Sequence, residues 1–226
     1  MNVTCLQENL ARGLGIVGRA VAVRSTLPIT SNVLIATDHG RIKLAATNLD
    51  IALSCWIGGQ IEEEGAITVP ARLLGDFVNS LPPEKIQLTL APRSKQVKLV
   101  CARNEASIGG MDADDFPPIP PVDDGGTLEI DAKALREAIS QVVFSAATDD
   151  SRPVLMGIDL SVEGDQMTLA ATDGFRLAVR HLKLKKKVAE KQEVIVPART
   201  LAELSRLLQD QEDPVKMTFN ANKTQV

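Results

Sequence analysis

Carboxylates are the first residues in this chain whose types and spacing could do chemistry. The run DADD sets Asp112, Asp114 and Asp115 side by side, a group of oxygens able to hold a hard divalent cation, and a cation so held would suit phosphate-ester cleavage. The plainer reading is an acidic linker, because FPPIPP follows at once and prolines favour an extended connector. EEE from Glu62 reads the same way, as a plain acidic linker. His39 and His181 are the only histidines, each near a turn or strand end, and no serine or cysteine motif pairs with either as nucleophile and base. GGQIEEEG and GRAVAVRS lack the lysine and spacing of a phosphate loop. Catalytic residues are therefore assigned to none, and no cofactor or resident metal is called for. Metal-dependent cleavage at DADD stays as the enzymatic alternative to a binding role.

Composition narrows the binding role. The chain has 226 residues, 44% of them hydrophobic and 24% charged, with a formal charge of −4. This is the profile of an ordinary soluble globular protein with room for one large or two ordinary domains. Five Phe, one Trp and no Tyr leave the core to aliphatic residues and offer few rings on which single-stranded bases could stack. The acidic balance argues against holding nucleic acid by overall positive charge, so any such contact must be local. KLKKK from Lys183 is either such a patch or a solvated loop between a strand and VAEKQEVIVP. Cys5, Cys55 and Cys101 form no CxxC pair, which points to a reducing compartment. MNVTCLQENL has no basic start followed by an apolar run, and no stretch approaches the roughly 18 apolar residues of a span. A cytoplasmic protein with no membrane partner is expected.

The elements that position these residues come twice. LAAT at Leu44 returns at Leu169, an offset of 125 (169 minus 44). At that offset Pro28 and Ile29 meet Pro153 and Val154, Val33 meets Ile158, and Leu10, Leu14 and Val17 meet Leu135, Ile139 and Val142. After two extra residues ITVPARLLGDFVNSL from Ile67 meets VIVPARTLAELSRLL from Val194, and IQLTLAPRSKQV from Ile86 meets VKMTFNANKTQV from Val215. Blocks in one order mark two copies of a domain, with DDFPPIPPVDDGG from Asp114 to Gly126 as an extended seam.

Each copy reads as a helix, strands, a second helix and more strands, an α+β pattern. Leu6, Leu10, Leu14, Val17 and Val21 form the first helix's stripe in copy one, with Arg12 and Arg19 nearly opposite. In copy two the stripe is Leu135, Ile139 and Val142, with Lys133, Arg136 and Ser140 across from it. Pro70 and Pro197 open the second helices, which bury Leu73, Leu74, Phe77 and Leu81 in one copy and Leu201, Leu204 and Leu208 in the other. Arg72, Arg199 and Arg206 then face solvent. LIATDHGRIKLAAT and IDLSVEGDQMTLAAT read as strand pairs joined by DHG and EGD turns. Val226 aligns with Val97, where a strand begins to return, so the sequence is expected to be part of a longer protein.

TLPITSNVL at Thr26, LAATNLDI, ITVPAR at Ile67, ADDFPPI at Ala113, SRPVLMGIDL at Ser151, ATDGFRLAV at Ala171 and VIVPAR at Val194 together resemble the bacterial DNA polymerase III beta subunit family, the sliding clamps. The resemblance implies tandem clamp domains, each with two helices packed on antiparallel sheet: domain one over 1–122 and domain two, incomplete at its C-terminus, over 127–226. A third domain would lie outside this chain. It implies a non-enzymatic processivity factor: a head-to-tail homodimeric ring that encircles double-stranded DNA without sequence preference. Through a short peptide motif the ring would tether DNA polymerase, the clamp loader and repair proteins. Loose phosphate contacts would let such a ring slide. A duplicated peptide-binding module unrelated to DNA is the remaining alternative.

Carried over position by position, the resemblance implies a partner-peptide cleft at Leu155, Thr172, Gly174, Phe175, Arg176 and Leu177. Phe175 stands where relatives often have a polar or basic ring. The residues alone read TDG as a strand-end turn with Gly174 supplying backbone freedom. For DNA the resemblance implies Arg24, Arg72, Arg152 and Arg199, which on their own are exposed arginines. Arg152 lies in SRPV, a loop that carries aromatic residues in some relatives and Pro153 and Val154 here. A dimer edge is implied on the strand from Arg103 to Ile108, at Arg103, Ala106 and Ile108, joined to domain three of the other protomer by main-chain pairing, with Ile108 adding apolar contact.

Overall fold

Alternation builds most of this fold. The computed structural model describes all residues except 23–25, 123–125, 221 and 223, in two units, Met1–Ile119 and Pro120–Val226.

In the first unit β1 (Asn2–Leu6) buries Val3 and Cys5 on one face. It runs directly into α1 (Gln7–Val17), where buried Gln7 donates from Nε2 to the Val78 carbonyl at 2.7 Å. Strands β2 (Asn32–Asp38) and β3 (Arg41–Thr47) form the expected hairpin. They are followed by β4 (Ala52–Ile57), β5 (Gln60–Glu63) and β6 (Ala66–Pro70). Helix α2 (Ala71–Ser80) precedes β7 (Lys85–Ala91), β8 (Gln96–Cys101) and β9 (Asn104–Gly109). The strands make two antiparallel sheets, ordered β5-β1-β7-β8-β9 and β4-β3-β2-β6. One core joins both sheets to the inner faces of the helices, with Leu10, Leu14, Leu44, Leu74, Leu88 and Leu99 among its buried members.

The second unit repeats the plan. It has β10 (Thr127–Ile130), α3 (Ala132–Val142), β11 (Gly157–Glu163), β12 (Gln166–Thr172) and β13 (Leu177–Lys183). Then come β14 (Gln192–Pro197), α4 (Ala198–Leu207) and β15 (Val215–Thr218). Asp131 caps α3 by accepting from the Ala134 amide at 2.8 Å. The sheets are ordered β13-β12-β11-β14 and β10-β15, over a separate core containing Leu135, Ile139, Leu160, Leu169 and Phe219. Both units are α+β with two helices on antiparallel sheet, as the pattern indicated.

Four details depart from the sequence reading. Leu6 ends β1 and is exposed, and Val21 lies past α1, so the stripe is Leu10, Leu14 and Val17 with Gly13. Leu73 is 56% exposed while Leu74 is fully buried, because neighbours on a helix differ by about 100° and only one can face the core. Pro70 and Pro197 are the residues before the helices rather than their first turns. The acidic run at Glu62 is exposed but is not a linker: Glu62 and Glu63 belong to β5, which pairs antiparallel with β1. The three cysteines are free thiols, and burial pushes the Cys5 thiol up to about 12. Among the described residues no helix is long and apolar enough to cross a membrane.

Candidate peptide-binding cleft

The outer face of the second unit's four-stranded sheet begins with the alternation of β11. Ile158, Leu160 and Val162 turn inward and are buried, which turns Gly157 and Asp159 outward. Register then fixes the neighbours: Asp159 stands opposite Ala170 on β12 and Ile195 on β14, and Ala170 stands opposite Val179 on β13. Ile195 leans over Gly157 so closely that a Cβ there would lie 2.2 Å from its Cγ2. Only glycine leaves room for that wall. A cavity of about 150 Å³ opens on this face, walled by Val154, Leu155, Thr172, Leu177 and Ile195, with Asp159 and Ala170 at its base. Two of its walls are apolar and solvent-facing, Leu177 67% and Val154 65% exposed, and Phe175, in the turn between Thr172 and Leu177, is 95% exposed. Large apolar groups gathered in the open mark a binding surface more often than isolated ones do.

The turn beside the cavity is held by hydrogen bonds. Gly174 adopts φ +92°, a conformation that costs glycine little. The Thr172 hydroxyl donates to the Arg176 carbonyl at 2.7 Å and accepts from the Gly174 amide at 3.0 Å. Asp173 Oδ1 accepts from the amides of Phe175 and Arg176, and Arg176 Nε donates to Oδ2 at 3.0 Å. The Phe175 amide above all, then the Arg176 groups, hold the Asp173 carboxyl below its ordinary range. Arg152 Nη2 donates to the Asp173 carbonyl at 2.8 Å. The structure thus brings Leu155, Thr172 and Leu177 to the cavity and places Gly174, Phe175 and Arg176 in the turn between two of its lining residues, Thr172 and Leu177.

The first unit carries the same face with its cavity filled. At the repeat offset, Ile29, Leu34 and Ala45 occupy the places of Val154, Asp159 and Ala170. Phe116, 9% exposed, forms a small buried cluster with Ile29 and Ala45, against which Leu34 packs. The segment carrying it is pinned by main chain: Thr68 and Met111 exchange amide hydrogen bonds of 3.0 and 2.9 Å. Asn32 Nδ2 donates to Thr68 Oγ1 at 3.1 Å. Their counterparts are Gly157 and Ile195, so the polar pair becomes an apolar wall. The start of the expected seam is therefore docked on the first unit, because burying the Phe116 ring outweighs leaving it in an extended connector.

The remaining sequence candidates are dispersed. Arg24 lies outside the described residues. Arg72 and Arg199 sit at the same place, the second residue of α2 and of α4, and both are exposed; Arg72 makes an exposed ion pair with Asp76 at 3.8 Å. Arg152 is exposed at the cleft's turn. On the proposed dimer edge, β9 is the outer strand of its sheet. Arg103 lies in the turn before it, Ala106 is half-buried, and Ile108, 3% exposed, points into the core, so that Ile108 offers the edge its main chain only. Asp112 accepts from the Asp114 amide and pairs with Lys95 at 3.1 Å. Among the described residues no group of three or more His, Cys, Asp or Glu could hold a metal. Val154, Asp159, Ala170 and Ile195 were absent from the sequence candidates; aligning the copies on their strand register would have found them.

A profile of the DNA polymerase III beta subunit N-terminal domain matches residues 1–120, and one of the central domain matches residues 129–226. The chain belongs to the DNA polymerase III beta subunit family. A beta sliding clamp of Synechocystis sp. is 33% identical over 244 aligned residues, covering 100% of this chain and 62% of that protein. The crystal structure of the DNA polymerase sliding clamp from Bacillus subtilis superposes with a TM-score of 0.94 at 27% identity, over 97% of this chain and 60% of that one. A Pseudomonas aeruginosa sliding clamp bound to griselimycin superposes at 0.89 with 32% identity, over 98% and 60%. The chain thus spans about six-tenths of the length of these beta subunit relatives.

Proposed function

We propose that this chain is the tandem-domain part of a sliding clamp, a non-enzymatic processivity factor that encircles duplex DNA and tethers the replicative polymerase in the cytoplasm. The observation that carries this reading is the match of both units, in order, to the first two domains of the beta subunit family. Each unit turns one face of its helix pair outward with an arginine at the same helical position, Arg72 and Arg199. Faces of that kind suit a positively lined channel, leaving the acidic surplus elsewhere. Arg24, Arg72 and Arg199 would meet phosphates, with Arg152 near the DNA while braced by the cleft's turn. Main chain of the β9 edge, through Ala106 to Ile108 and with Arg103 in the turn before it, would pair with a second protomer.

The open cavity at Leu155, Thr172 and Leu177, with Gly174, Phe175 and Arg176 in the turn beside it, would take the peptide by which polymerases, the loader and repair proteins attach. Support comes from the first unit, where Phe116, directly after a short 3-10 turn at Ala113–Asp115, fills the equivalent face. The test uses the complete protomer containing this chain, loaded by a clamp loader onto DNA. A sliding ring stays on closed circles and runs off linear molecules when salt is raised; equal loss from both sinks the reading.

A further inference from the structure

We propose that Asp159 sets the ligand preference of the second unit's cleft, selecting a segment that brings a cationic side chain next to its apolar anchor. The inference rests on the peptide-cleft reading above. Of the residues lining the cavity, Asp159 is the ionisable one. It stands at the base between Ala170 and Ile195, half-buried, and among the described residues no hydrogen bond or ion pair reaches its carboxylate. The charges acting on it come from β14 and the residue before it: Glu193, which repels, and Lys191, which attracts but is engaged with Glu193 at 2.8 Å. Ala170 and Val179, its neighbours on β12 and β13, offer no donor.

The comparison between copies shows what this departure does. In the first unit the same place is Leu34, which packs against the small cluster that the aromatic Phe116 forms with Ile29 and Ala45. A wholly apolar occupant entering the second cleft in that manner would cover the Asp159 carboxylate and leave it without a partner, which opposes binding. A lysine or arginine beside the anchor supplies that partner, with a charge-assisted hydrogen bond in a setting partly shielded from solvent. Burial and Glu193 together raise the carboxyl above its ordinary range, the direction expected of an acid lacking a cation.

The probes come from the molecule's own plug. Peptide GMDADDFPPI, residues 110–119, is made with the two residues before Phe116 as Asp-Asp, norleucine-norleucine or Lys-Lys, and titrated by fluorescence anisotropy against the complete protomer. The Lys form is expected to bind roughly fivefold tighter than the norleucine form, and the Asp form most weakly. In Asp159→Leu, which installs the first unit's residue, the Lys-to-norleucine ratio is expected to fall to about one; Asp159→Asn should lie between. Binding that is lost in Leu177→Ala yet keeps the same ratio in Asp159→Leu overturns this inference and leaves the cleft standing. No binding by any of the three peptides, or binding indifferent to Leu177→Ala, overturns both.

Discussion

Arg176 bonds Phe144 in two ways: Nη2 donates to the Phe144 carbonyl at 2.6 Å, and the guanidinium lies 5.5 Å from the centre of its ring. With its Nε on Asp173, Arg176 ties the cleft's turn to the segment after α3. Arg176→Ala should weaken a cleft-binding peptide roughly tenfold while barely changing global stability, since these contacts are exposed. Arg176→Lys should recover only part of the affinity, because an ammonium cannot make the forked contact. Because the Asp173 carboxyl is held below its ordinary range, its contribution to the turn is present above the unfolded-state value. It is lost as pH falls through the lowered folded-state value. Peptide affinity measured from neutral pH downward should therefore survive through the usual carboxylate range in so far as it depends on Asp173; an early fall that Asp173→Asn abolishes would contradict this.

Gly157 and Ile195 replace Asn32 and Thr68 of the other copy, and the two exchanges should be coupled. Gly157→Asn alone forces a side chain into the space where Ile195 sits, which should cost about 1–3 kcal/mol as overpacking. Combined with Ile195→Thr, which rebuilds the first unit's pair, the loss should shrink, with a coupling energy on the order of 1 kcal/mol in a double-mutant cycle of thermal unfolding. Additive losses would mean that the two positions do not share the wall.

What could be read beforehand follows from which signals lie in side chains. The hairpins, the helices and the duplication left apolar periodicity in the sequence, and the structure follows it. β5 left none: Gln60–Glu63 has one half-buried residue, Ile61, among exposed ones, and main-chain pairing with β1 holds it in place. The turn at Gly174 announced itself through Thr, Asp and Gly. The wall made by Ile195 did not, since VIV reads as a continuous buried run until register turns its middle residue outward. Phe116 sat among prolines, and its burial depends on Ile29, Leu34 and Ala45, which are 71 or more residues away (116 minus 45).

Phe116 should therefore act as part of the first unit's stability rather than as linker. Phe116→Ala removes the ring from Ile29, Leu34 and Ala45, and should cost about 3 kcal/mol, the lower part of the range for buried aromatic truncation because the cluster is small. Urea unfolding followed by hydrogen exchange should show the loss in amides of β2 and β3, with those of β11 and β12 unchanged. A uniform loss across both units, or none, would refute this placement.

Duplex binding offers the quantitative check on the arginines at the starts of α2 and α4. Arg72 and Arg199 are exposed, and the ion pair of Arg72 with Asp76 is long and solvated, so Arg72→Ala and Arg199→Ala should leave the unfolding midpoint nearly unchanged. If each arginine neutralises one phosphate, each substitution should lower the slope of log affinity against log salt by about 0.9, measured on duplex DNA between roughly 50 and 200 mM salt. The effects should add, since the two positions share no partner. Lys98, which pairs with Glu105 at 2.9 Å on the β8–β9 side, serves as the comparison: Lys98→Ala should leave the slope where it was. A slope unmoved by the arginine changes, or moved equally by Lys98→Ala, would remove these helix starts from the DNA-facing surface.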